Sequence, residues 1–206
     1  MTPNQSKRKG MQLALDLAWE RLEGADPVAL AARSGARPLE GHQGVLLRYL
    51  AWEVAIDLEE HRVVSQETDL TLMERVLILR YLVLCDRIRP VPDWISLREL
   101  PGGRNYLGPF RGRTTHPLEA RFGQDRDAFE SASRALRGER LSFGDSAFLF
   151  RLLPAFWMGL VLNMADDEFE AEVTILFDSA VARCFTTEDC VAAGQVLSRR
   201  LLREAG

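Results

Sequence analysis

Residues 156–178 read FWMGLVLNMADDEFEAEVTILFD, and this stretch decides the fold class. Phe156 to Met164 is a continuous apolar run of strand length, the pattern of a strand covered on both faces. From Glu172 to Asp178, Val173, Ile175 and Phe177 alternate with Glu172, Thr174 and Asp178, which is the two-residue period of a strand with one face inward. Asp166, Asp167, Glu168 and Glu170 fill the connection, so the pair predicts an antiparallel hairpin with a solvated turn. Those carboxylates could hold a hard cation, but they lack the spacing and the turn glycine of an EF-hand loop.

Working upstream, Leu141 and Phe143 lead into a Gly144-Asp145 turn, after which Phe148, Phe150 and Leu152 alternate as a second hairpin. Asp125 can cap a helix whose Phe129, Ala132 and Leu136 share a face and which Gly138 ends. Downstream, Thr186 or Thr187 caps a C-terminal helix. Glu188 and Asp189 lie near its positive end and Arg199, Arg200 and Arg203 near its negative end.

The first half of the chain is read the same way. Val45 to Asp57 has a strand period that slips near Ala51, predicting two strands or a bulge, with Glu59, Glu60 and His61 in a turn and Arg62 to Ser65 returning. Leu70 to Cys85 is apolar nearly all round, as a buried helix must be; Asp69 or Thr71 can cap it, and Glu74 completes a capping box from Thr71. Asp26, Pro27 and Gly35 mark the cap, first turn and stop of a short helix. Before it, Leu13, Leu17 and Leu22, with Ala14 and Ala18, give a helical stripe that ends at Gly24. Residues 1–10 read as a disordered tail. Residues 11–206 then make one α+β domain, mainly antiparallel sheet packed against a buried central helix, with N-terminal and C-terminal helices.

Composition narrows the function. A chain of 206 residues with 47% hydrophobic content can bury a full core. A formal charge of −4 and a pI near 5.5 argue against a general nucleic-acid binder, which needs clustered cations to neutralise phosphates. Of 26 basic residues only Lys7 and Lys9 are lysine, both in the N-terminal tail, so a Schiff-base or phosphate-gripping lysine is not expected. Cys85, Cys184 and Cys190 are too few and too scattered for a disulfide scaffold, which suits a reducing, cytoplasmic location. No apolar region follows the basic N-terminal residues, and the longest run without strongly polar residues, Leu152 to Leu162, is too short to span a bilayer. No membrane association is expected.

The chain contains no GxxxxGK[ST], strand-borne GxGxxG, GxSxG or HExxH pattern. His42, His61 and His116 are far apart in sequence and Cys184 and Cys190 lie six apart, so no metal site is expected. The sequence specifies no cofactor.

One segment mixes cationic, aromatic and flexible residues more densely than any other: DWISLRELPGGRNYLGPFRGRTTHP, from Asp93 to Pro117. It is read as a strand from Trp94 to Leu100 followed by a long loop running to Phe122, and loops of that length in compact domains are commonly functional. Gly102 and Gly103 could turn consecutive N–H groups inward as an anion nest. Arg98, Arg104, Arg111 and Arg113 offer guanidinium forks for carboxylate or phosphate, Trp94, Tyr106 and Phe110 can stack on a planar ligand, and His116 closes the set. These residues predict a binding module for an anionic or planar cofactor or for the protein that carries one. The alternatives are an enzyme of unknown reaction with His116 or Glu99 as acid/base, and a structural subunit of a larger complex. An exposed apolar patch on the N-terminal helices would mark the last.

WISLRELPGG (94–103), FRGRTTHPL (110–118), EVTILFD (172–178) and FTTEDCVAAG (185–194), in that order, resemble an uncharacterised prokaryotic family catalogued as domain of unknown function 3786. The resemblance runs through most of the chain from Met11 and implies a shared fold and a shared 98–116 segment; it supplies no activity. Some relatives carry an added cysteine-rich segment similar to iron–sulfur cluster binders. This chain has no such segment, so no cluster is implied. Where the family pattern has tryptophan, glycine and proline in the acidic turn, this chain has Asn163, Ala165 and Glu170, and no role is carried over to that turn.

Overall fold

The computed structural model describes residues 3–206 apart from Pro92. They form two compact units, one of the described residues up to Ile88 with Leu153–Ala155 and the other of the described residues from Arg89 to Leu152 with Phe156–Gly206. Both combine helices with an antiparallel sheet, so the α+β class holds, with two sheets where one was expected.

The first unit opens with helix α1 (Pro3–Leu22). Its start lies well before Met11: Pro3–Gly10, read from sequence as tail, are helical, while Met1 and Thr2 lie outside the described residues. The expected stripe is also shifted. Ala18, Trp19 and Leu22 are buried, whereas Leu13 and Leu17 remain 60% and 48% exposed. Helix α2 (Pro27–Ser34) follows its sequence signals closely. Asp26 accepts from the Val28 and Ala29 N–H groups, proline opens the helix, and Gly35 stops it in the left-handed region at φ 73°.

Strands β1 (Arg37–Pro38), β2 (Gly44–Tyr49), β3 (Trp52–Asp57) and β4 (Arg62–Val64) form the first sheet in chain order. The slip near Ala51 is a tight turn, with Tyr49 opposite Trp52 and Leu50 at φ 50°. Val45 pairs with Ile56 and Leu47 with Val54, placing one buried apolar row across the strands. His61 sits in the β3–β4 turn at φ 50°, exposed, with its ring stacked 4.9 Å from Trp19. Helix α3 (Leu72–Leu84) carries the expected Thr71–Glu74 capping box. Glu74 is buried, and its carboxylate accepts from Thr71 N, Thr71 Oγ1 and the hydroxyl of Tyr49, 2.7 Å away. Tyr81, equally buried, donates to Ser34 O at 2.5 Å and accepts from Ala155 N at 3.0 Å; burial pushes its phenol far above the usual range.

In the second unit the strands are β5 (Trp94–Ser96), β6 (Glu139–Leu141), β7 (Ser146–Leu153), β8 (Phe156–Asn163) and β9 (Glu172–Asp178), in spatial order β5-β9-β8-β7-β6. The deciding hairpin is as predicted, with Met158 opposite Phe177 and Asn163 opposite Glu172. Its acidic turn closes on itself: Asp166 accepts from the N–H groups of Glu168 and Phe169. Among the described residues no group of three His, Cys, Asp or Glu is placed to hold a metal ion.

The expected loop from Pro101 to Phe122 is corrected: it is mostly helical. Residues Gly103–Tyr106 make a 3-10 turn, followed by α4 (Leu107–Arg113) and α5 (Thr115–Phe122). Both prolines, Pro109 and Pro117, fall in a first helical turn, where an amide N–H has no helical partner and its loss is harmless. Helix α6 (Arg126–Ala135) is capped by Asp125, and α7 (Thr187–Glu204) by Thr186 in a capping box with Asp189. At the end of α6, Arg137 takes the left-handed position at φ 58°, and Gly138 follows it, donating to Ser133 O. A Cβ on Gly138 would lie 2.9 Å from the Phe150 ring, which is why glycine stands there. Phe122, Phe129 and Phe148 stack edge-on at 5.6 and 5.7 Å in the core. Among the described residues no helix is long and apolar enough to cross a membrane.

Candidate functional site

The strand expected over Trp94–Leu100 stops at Ser96. Glu99 turns back, and its carboxylate accepts from Ser96 N at 2.7 Å and from Ser96 Oγ at 2.8 Å, closing a 3-10 turn over Leu97–Glu99. The Ser96 N–H and hydroxyl hold the Glu99 carboxyl below its ordinary range. A general base working near neutrality needs the opposite shift, so this residue is a turn lock. Next, Gly103 N donates to Leu100 O, with Gly102 left-handed at φ 70°, ψ 3°, as the third residue of a type II turn requires. The predicted anion nest is therefore corrected: the Gly103 N–H is committed to the turn.

Two hydrogen bonds fasten this turn to α7. Thr187 Oγ1 donates to Pro101 O at 2.7 Å, and the Tyr106 hydroxyl donates to Glu188. The Glu188 bond raises the Tyr106 phenol and lowers the Glu188 carboxyl. Phe110, 4% exposed, lies in the notch left by Gly194, where a Cβ would come within 2.5 Å of its ring. Trp94 is half-buried over Gly159, with ring carbons 3.6 Å from the position a Cβ would take. All three aromatics expected at the site thus anchor the segment to helix or sheet.

The arginines differ. Arg98, Arg104, Arg111 and Arg113 are exposed, and none has an ion-pair partner among the described residues. Two of them, Arg98 and Arg111, line a groove of about 300 Å³ between the Leu97–Glu99 turn, α4, α5 and residues Glu172–Ile175 of β9. Phe110 and Leu107 contribute its apolar wall. Thr115 lines it too, and its Oγ1 is buried with no hydrogen-bond partner among the described residues, although an orphaned buried hydroxyl is costly. Beside the groove, the Glu119 carboxylate accepts from Val173 N at 3.2 Å, which fixes α5 along β9.

Of the ten residues expected at the site, the structure brings Arg98, Phe110 and Arg111 to one groove. Trp94, Gly102, Gly103, Arg104, Tyr106, Arg113 and His116 do not line it; His116 is exposed. Thr115 and the Glu172–Ile175 stretch were missed. Both lie inside stretches that carry the family resemblance, which was the available signal.

Fold and groove define the class: an α+β protein with two antiparallel sheets and a small groove bearing two guanidiniums without an ion-pair partner among the described residues. The family model described as Domain of unknown function (DUF3786) matches residues 26–200, and the chain belongs to that family. No curated protein and no solved structure matches significantly. The four stretches that carry the resemblance meet in space. EVTILFD is β9, which pairs with the Trp94–Ser96 start of WISLRELPGG; FTTEDCVAAG opens α7, which holds Pro101 and Phe110.

Proposed function

We propose that this protein is a cytoplasmic binding module that takes a small anionic ligand in the groove between the Leu97–Glu99 turn, α4, α5 and β9. The observation that carries the reading is that the Arg98 and Arg111 guanidiniums, free of ion pairs among the described residues, line one groove. Guanidinium forks suit carboxylate or phosphate. A volume of about 300 Å³ is at the lower end of small-molecule sites, so the ligand is smaller than a dinucleotide cofactor. With the aromatics anchored in packing, the charge of the ligand, rather than a planar ring, is what the groove recognises. The test is titration with inorganic phosphate followed by backbone amide NMR. Arg98→Ala and Arg111→Ala should each weaken binding about tenfold, the effect of losing one charge-assisted hydrogen bond, without loss of stability. Variants that unfold like Leu79→Ala would make these arginines structural.

A second reading, a subunit of a larger assembly, rests on a separate observation. Leu13 and Leu17, one turn apart on α1, are 60% and 48% exposed, and Val28 on α2 is 64% exposed. If that face is covered in an assembly, Leu13→Glu with Leu17→Glu should lower the mass measured by light scattering while leaving the circular dichroism unchanged. An unchanged mass contradicts it.

A further inference from the structure

The groove runs along an open edge of the second sheet. β5 pairs with β9 from Trp94 opposite Asp178 to Ser96 opposite Leu176, and the chain then leaves the sheet in the Leu97–Glu99 turn. On its other side β9 pairs with β8 as far as Asn163 opposite Glu172. Among the described residues, Glu172–Ile175 therefore have a strand on one side only. All four line the groove in succession, which is how a strand edge presents its residues, whereas a sheet face would offer alternate ones.

The direction of the backbone groups follows from two hydrogen bonds. Val173 N–H donates to the Glu119 carboxylate at 3.2 Å rather than to β8, and Ser179 N–H donates to Asp93 O at 2.8 Å, on the β5 side. N–H groups along a strand alternate between its two sides, so Ile175 N–H also points away from β8, and no strand is paired there to receive it. Glu119 shows that an oxygen from outside the sheet can take the place of a strand carbonyl on this edge. The charged side chains lining the groove are Arg98, Arg111 and Glu172, two cations against one anion, in a chain of formal charge −4. An unpaired strand edge is a template for another chain, and cationic flanks favour an acidic one.

We propose that the groove accepts an extended acidic segment of a partner protein, which adds to β9 as a strand beyond the end of β5 while its Asp or Glu side chains meet Arg98 and Arg111. Main-chain hydrogen bonds to the edge supply affinity in such additions, and side chains supply selectivity. This rests on the anion-binding reading above and specifies what carries the anion. Four residues of edge, at about 3.3 Å each, are roughly 13 Å long, so a short piece of the partner is enclosed and the rest runs out into solvent.

The probe is the capped peptide acetyl-Val-Asp-Val-Asp-Val-amide, titrated into the full chain and followed by amide NMR. It should shift the Glu172–Ile175 amides, that of Ile175 included, and its Asn-for-Asp analogue should bind about tenfold more weakly. Two further peptides carry N-methyl groups, one on both Asp nitrogens and the other on the three Val nitrogens. In an added strand one of these sets faces β9 and the other faces away, so one methylated peptide should lose roughly tenfold or more in affinity and the other should bind within about twofold of the parent. Equal affinities of the two methylated peptides overturn strand addition, and equal affinities of the Asp and Asn peptides overturn the acidic assignment; in either case saturable phosphate binding would leave the anion site standing. If neither phosphate nor the Asp peptide shifts any groove amide, the anion-binding reading falls, and this proposal with it.

Discussion

Replacing Glu130 with glutamine should destabilise the protein by about 2 kcal/mol at pH 7, and the deficit should vanish as the pH falls. Glu130 on α6 is 8% exposed and accepts from Arg126 Nε at 2.9 Å, from Arg134 at 2.6 Å, from Arg140 at 2.7 Å and from Ser146 Oγ at 3.2 Å. The hydrogen bonds from Arg126 and Arg140 do most to hold its carboxyl down to about 2, against an ordinary 4.5. A shift of that size corresponds to about 3.5 kcal/mol at most, at about 1.4 per unit. The three guanidiniums are 47–60% exposed, so solvent screening brings the figure nearer 2 kcal/mol. Because the folded pKa is the lower one, the stabilisation is complete above about 4.5 and is lost as the pH falls towards 2. Urea unfolding of the native protein and Glu130→Gln across that range should show the gap closing. A gap independent of pH would mean the variant fails through packing alone.

Gly103→Ala should be the most damaging small change in the 98–116 segment. A Cβ there would lie 1.8 Å from Leu97 O and 2.9 Å from Leu97 C, both backbone atoms that cannot rotate away. The turn must open, at a cost of about 3 kcal/mol, and Arg98 moves with it, so anion binding is lost as well. Gly112→Ala provides the contrast. Nothing lies within 4 Å of its Cβ position, and it sits in α4, so alanine should stabilise by about 0.5–1 kcal/mol. Thermal unfolding of the two variants should therefore shift in opposite directions; shifts of the same sign contradict the turn geometry described here.

The parts of this fold legible in the sequence were those written in local chemistry. Caps at Asp26, Thr71, Asp125 and Thr186 all formed, because a side-chain oxygen three residues ahead of an orphan N–H needs no tertiary information. The hairpins formed because alternation and turn residues fix register locally. Two things were not legible. Helices α4 and α5 were hidden by their glycines and prolines: Pro109 and Pro117 are helix breakers in general but harmless in a first turn, and only the structure shows that they occupy one. Part of the buried face of α1 was misplaced because Leu13 and Leu17 read as the stripe by hydrophobicity, although packing buried Ala18, Trp19 and Leu22.

For the candidate site, the segment stood out by composition and its internal bonding did not. Arginine density marked residues 98–116, but which guanidiniums stay unpaired, and whether the aromatics face solvent or core, depends on partners far along the chain. Gly194 accommodates Phe110, and Glu188 accepts from Tyr106. Thr115 gave no sign of its own, since an orphaned hydroxyl exists only once the fold has buried it.

The most direct test of the central claim is a phosphate titration followed by amide NMR on the native protein and on the Arg98→Ala, Arg111→Ala double variant. Saturable shifts confined to the Ser96–Arg98, Arg111–Thr115 and Glu172–Ile175 stretches, abolished in a folded double variant, are the predicted result. Shifts scattered over the surface arginines, or unchanged affinity in the double variant, would contradict it.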